Sequence, residues 1–140
     1  MRLVLFLLAL ATGAAHAADI EVKTPWTRAT VRLLKVSGAY MEMKSAQGAT
    51  LVGASSPVAG NVELHEMRME GDLMKMRAVR RLPLPAGKPV ALTPSGFHLM
   101  LYDLKEQLVE GTRVPIRLDF ETAGGKRESV EVMAEVRPLR

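Results

Sequence analysis

The chain has 140 residues, a formal net charge of +4, 4% aromatic residues and no cysteine. That is the length of one ordinary domain able to bury a real core. Disulfides, thiol-attached haem and a blue-copper thiolate are excluded, and scattered basic residues with so few aromatics argue against nucleic-acid binding.

The chain opens MRLVLFLLALATGAAHA. Arg2 precedes an apolar run from Leu3 to Ala11, and Ala15-His16-Ala17 is a small-x-small pattern before a cut. The run is too short to span a bilayer, no cysteine offers a lipid anchor, and no twin arginine occurs. Residues 1–17 therefore read as a Sec-type signal peptide, and residues 18–140 as one exported, periplasmic domain without a membrane span. A cut after Ala15 would instead expose His16, whose amine and imidazole could chelate copper; Ala-x-Ala is the more typical signal.

Beyond the leader no segment sustains a 3.6-residue apolar period, and period-2 alternation recurs. Ile20 to Val22 is a short strand, followed by Trp26 behind Pro25. Ala39, Met41 and Met43 alternate with Tyr40, Glu42 and Lys44 in a clear strand. Leu51 to Ala54 is another. Val62 to Met69 and Leu73 to Val79 flank Glu70-Gly71 and read as a hairpin. Centred on that dipeptide, it sets His65 directly opposite Met76, about 5 Å apart at Cβ. Leu82 to Pro94 is proline-rich, so a loop is expected, with at most a short strand around Val90 to Leu92. Phe97 to Leu104 is a strand on which His98 and Met100 share a face. Val114 to Phe120 alternates again, and Pro115 points to an edge or a bulge. Ala123-Gly124-Gly125 turns the chain into a last strand carrying Val130, Val132, Ala134 and Val136. Many short strands between turn signals predict an all-β antiparallel sandwich or barrel.

The only histidines past the leader are His65 and His98, and each lies within two residues of a methionine. Neutral imidazole and soft thioether together suit Cu(I), whereas hard cations want oxygen. The bland alternative is that methionines fill core gaps and single histidines are merely solvated or satisfied. Met41 and Met43 fit that alternative by their alternation, and Met69 and Met133 also read as structural. Met67 shares the face of His65, and Met74 that of Met76, as packing or as spare soft ligands. No nucleophile with a nearby base and no phosphate-binding glycine loop is visible, so an enzyme is not expected. A metal-free adhesive sandwich is the third reading.

The spacing His65, ten residues, Met76, twenty-one residues, His98-Leu99-Met100 resembles the H-x10-M-x21-H-x-M motif of the periplasmic copper chaperone family PCu(A)C. Gly96-Phe97-His98-Leu99-Met100-Leu101 with Leu104-Lys105, Trp26-x-Arg28-Ala29-Thr30 and Gly38-Ala39-Tyr40 are similar to that family's flanking signatures. The resemblance spans the mature chain. It implies a cupredoxin-like Greek-key β-sandwich, monomeric, holding Cu(I) through His65, Met76, His98 and Met100. It implies a carrier of copper to the dinuclear centre in cytochrome c oxidase subunit II, alongside a Sco-type assembly protein. Where the family usually carries a Pro-Pro-Gly-like turn, this chain reads Thr-Val-Arg-Leu-Leu between Ala29 and Val36. No His/Met-rich tail follows Val136, so no second Cu(II) site is expected.

Overall fold

The computed structural model describes residues 19–139; the signal peptide read at residues 1–17 and the alternative terminus at His16 lie outside them. Alternation in the sequence becomes strand throughout. In chain order these are β1 (Ile20–Arg28), β2 (Ser37–Ser45), β3 (Ala49–Ser55), β4 (Ala59–Glu70), β5 (Leu73–Ala78), β6 (Leu82–Leu84), β7 (Val90–Leu92), β8 (Phe97–Leu104), β9 (Arg113–Thr122) and β10 (Arg127–Arg137). Among the described residues the only helical piece is the 3-10 turn Ala123–Gly125, at the expected last turn.

Hydrogen bonding links the strands in the order β5-β4-β8-β2-β1-β10-β9-β3-β6, with β7 added to β2. β3 comes alongside β4, and β2 alongside β6, so this path folds over on itself as a two-layered sandwich. The chain crosses between the layers at β2–β3, β3–β4, β5–β6, β6–β7 and β8–β9. The inward positions close the core. Met41 and Met43 of β2, Leu99 and Leu101 of β8 and Leu64 of β4 meet Leu51 of β3 and Ile116, Leu118 and Phe120 of β9, all buried. Each such side chain contributes roughly 1.5–3 kcal/mol by leaving water. Met41 and Met43 are core residues, as their alternation with charged neighbours predicts.

Four details depart from expectation. One pairing is parallel: β1 lies beside β10 through Trp26–Arg28 against Glu135–Arg137. β1 is also longer than Ile20 to Val22, because Thr24 takes a left-handed φ of +51° in a bulge that carries the strand past Pro25. β6 (Leu82–Leu84) pairs with Ala49–Leu51 of β3 where only loop was expected. Pro115, as expected, stands at a local edge, on the open side of β9. Its carbonyl accepts a bond from Ser56 Oγ on the β3 side, and β3 pairs with β9 only from Arg117 onward. The proline's missing N–H therefore falls where no ladder bond is lost.

The fourth departure concerns the hairpin register. His65 pairs with Ala78, and Met76 pairs with Met67. The two loop residues are Gly71 and Asp72, not Glu70 and Gly71. Gly71 takes φ +62° while Asp72 has no positive φ, the pattern of a type II′ turn with glycine first. Moving the centre by one residue shifts each pair by two and keeps every side chain on its face. Met76 thus stays on the face of His65, one step diagonal to it.

Candidate metal centre

The outward face of the β5-β4-β8-β2 layer carries the odd residues of β4 and the even residues of β8. The register places His65 directly opposite His98 and Glu63 directly opposite Met100. Gly38 of β2 lies beside Met100 in turn. Although this face looks away from the core, His65 and His98 are 7% and 3% exposed. Their cover comes from neighbouring planar groups. Trp26 stacks on Tyr40 at 4.5 Å, Tyr40 lies 6.4 Å from His98, His98 6.0 Å from His65, and His65 5.9 Å from Tyr102.

The hydrogen bonds fix what each ring nitrogen does. A carboxylate only accepts, so His65 Nε2–H donates to Glu63 Oε2 at 2.8 Å. His65 Nδ1 is left buried with no partner. A carbonyl likewise only accepts, so His98 Nδ1–H donates to the Gly96 oxygen at 3.0 Å. In the neutral tautomers so selected, His65 Nδ1 and His98 Nε2 carry the free lone pairs. An orphaned buried nitrogen costs free energy unless something occupies it, and tethering the far nitrogen to an acceptor is how proteins aim metal-binding imidazoles. Metal–nitrogen bonds are about 2 Å, so two rings sharing one ion keep their centroids roughly 5–6 Å apart. The observed 6.0 Å suits that spacing.

The electrostatics agree. The hydrogen bond from His65 holds the Glu63 carboxyl below the ordinary carboxylate range. Partial burial, with the Glu63 charge adding, pushes the Tyr102 phenol up. Glu63 is therefore an anion at neutral pH, placed behind His65.

Beside His98 opens a cleft of about 350 Å³ whose lining includes Met67, Met76, Met100, Gly38 and Tyr40. The loop after β1 contributes Leu34 and Val36, and Leu139 closes one side. Of the four residues expected to act together, His98, Met76 and Met100 face this cleft, and His65 adjoins it through His98. Gly38 is required here: a Cβ at that position would run into the ring and hydroxyl of Tyr40. Among the described residues no group of three His, Cys, Asp or Glu side chains is placed to hold a metal ion.

Reasoning from sequence missed Glu63, Tyr40 and Tyr102 as parts of this face. Glu63 was within reach, since a residue two positions before His65 on a strand shares its face. So was Tyr102, four residues after His98 on the same strand; Tyr40 was not, because its approach depends on which strands adjoin.

This fold and face define a cupredoxin-like β-domain. A solved copper-bound PCuAC domain from PmoF2 superposes with a TM-score of 0.71 over 87% of this chain and 95% of that one, at 22% identity. The solution structure of CuI-DR1885 from Deinococcus radiodurans gives 0.62 over 91% and 83%, at 28% identity. By sequence, the chain belongs to the family described as "Putative lipoprotein LpqE-like", whose model matches residues 20–136. A curated relative, "Putative lipoprotein Lxx21020" of Leifsonia xyli subsp. xyli (strain CTCB07), is 26% identical over 122 residues, covering 86% of this chain and 74% of its own.

Proposed function

We propose that this protein is an exported copper carrier that holds one Cu(I) tightly as cargo through His65, Met76, His98 and Met100. The observation that carries the reading is the buried His65–His98 pair. One nitrogen of each ring is tethered, the other is free, and two thioethers stand on the same face. Two imidazoles and two thioethers form a soft, uncharged donor set, which favours Cu(I) over Zn(II) or hard cations. The copper-bound state of the PmoF2 domain and of DR1885 supports the same cargo here.

We favour carriage over catalysis because of how such donors release an ion. The face presents no nucleophile beside a base, while thioethers are readily displaced, so a partner can take the ion by ligand exchange. Met76 is 47% exposed and so open to an incoming ligand. The recipient we propose is the dinuclear copper centre in cytochrome c oxidase subunit II, with a Sco-type protein acting alongside. Export to the periplasm through residues 1–17 is part of the proposal, and the lipoprotein description of the family supports it. These 140 residues contain no cysteine, so they offer no thiol for a lipid.

Competition against a Cu(I) chelator tests the donor set. One equivalent should be withheld by the wild type, and Met76→Ala or Met100→Ala should each weaken binding at least roughly tenfold, about 1.4 kcal/mol. Unchanged affinity in both variants would remove the assignment.

A further inference from the structure

The tip of the β4–β5 hairpin leaves the sheet. β4 pairs with β8 only as far as Glu66 opposite Phe97, with one last bond from Met67 N–H to the Gly96 carbonyl at 3.1 Å. Beyond that point β4 and β5 continue as a two-stranded ribbon. Its alternation sorts the side chains sharply. One face carries Arg68, Glu70, Leu73 and Lys75, with Lys75 Nζ 3.0 Å from Glu70, and is an ordinary solvated surface. The other carries methionine at four successive positions, in two adjacent cross-strand pairs, Met67 with Met76 and Met69 with Met74.

Core packing does not explain these residues. Met69 is 59% exposed, Met74 51% and Met76 47%, and none belongs to the hydrophobic core. An exposed apolar group of this kind is the informative observation on a protein surface. A purely greasy face could use leucine, valine or phenylalanine, yet every position on this one is a thioether. The row also runs directly into the face of His65 and His98.

We propose that Met67, Met69 and Met74 form a second site, of three thioethers, for a soft monovalent cation, Cu(I) or Ag(I). Directly paired Cβ atoms on one face lie about 5 Å apart and diagonal ones about 7–8 Å. Methionine's three rotatable bonds let the sulfurs converge on one ion without moving the backbone. With no imidazole the site binds more weakly than the histidine centre, and with no titrating ligand it does not lose its ion to protons. Met76 borders both sites, so an ion can pass inward by exchanging one thioether for another, with no change of charge. Only that hand-over rests on the four-residue reading above; the ribbon site stands by itself.

The experiment is a titration of the full chain, labelled with 13C at the methionine ε-methyls, with Ag(I), which is soft and inert to redox. The first equivalent should shift Met76 and Met100. The second should shift Met67, Met69 and Met74. A Met69→Leu/Met74→Leu variant, apolar but without those sulfurs, should take up the first equivalent like wild type and lose the second. Ribbon methyls that stay unmoved through two equivalents, or a double variant that still takes up two, would overturn the proposal. Failure of the histidine centre reads separately, as Met76 and Met100 unmoved by the first equivalent. Shifts at the ribbon would support the ribbon site in that case too.

Discussion

At the scale of single residues, the chemistry turns on which nitrogen of each histidine is free. Glu63 decides this for His65. Its carboxylate takes the Nε2 proton and so leaves Nδ1 bare. A glutamine there keeps the size but presents a weaker acceptor, and can offer an N–H instead, which would select the wrong tautomer. Outer partners of this kind typically cost 10–100-fold in metal affinity when changed. Glu63→Gln should therefore weaken Cu(I) binding by about one to two orders of magnitude while thermal stability stays close to wild type. Chelator competition and a melting curve measure the two effects separately. Unchanged affinity would mean that Glu63 has no hold on the ligand ring. His65 and His98 were legible in the sequence because histidine is so rare in it; Glu63 was within reach by the two-residue strand period, but glutamate is too common to single itself out.

Single elements were legible to different depths. Alternation located β2, β8, β9 and β10, since inward positions such as Met41, Leu99 and Phe120 must be apolar. The hairpin was found, but its register was not, because Gly71 fits either position of a two-residue turn and only the folded φ distinguishes them. Pairing of His65 with His98 joins strands separated by the whole of β5, β6 and β7, and no local pattern specifies such a contact. β2 also carries a steric test. Gly38 sits under the Tyr40 ring, and a Cβ would drive that ring toward Trp26 or His98. Gly38→Ala should cost about 1–3 kcal/mol, the usual range for overpacking. It should also lower copper affinity by disturbing the cover over His98. Denaturant unfolding of the apo protein reads the first effect and chelator competition the second. A neutral result in both would show that Tyr40 swings clear freely.

For the whole molecule, the architecture was legible as an all-β sandwich because inward alternation recurs in so many short segments. The parallel contact of β1 with β10 was not, since it joins the two ends of the domain. Copper held by both histidines, as proposed, would be coupled to protons in a defined direction. An imidazole must be neutral to ligate, so in acid the free protein binds protons that copper must displace. Affinity should fall as pH drops. The slope of log affinity should approach two per pH unit once both rings are protonated in the metal-free protein. His98→Met removes one of those protons and should give a shallower dependence. Affinity with no pH dependence at all, alike in wild type and His98→Met, would mean that neither histidine binds.

The proposed carrier stands or falls on two imidazoles and two thioethers sharing one copper ion. X-ray absorption at the copper edge, on protein loaded with less than one equivalent of Cu(I), tests it most directly. Two nitrogen scatterers at about 2.0 Å and two sulfur scatterers at about 2.3 Å are expected. A first shell of nitrogen or oxygen alone, with no sulfur, would contradict it.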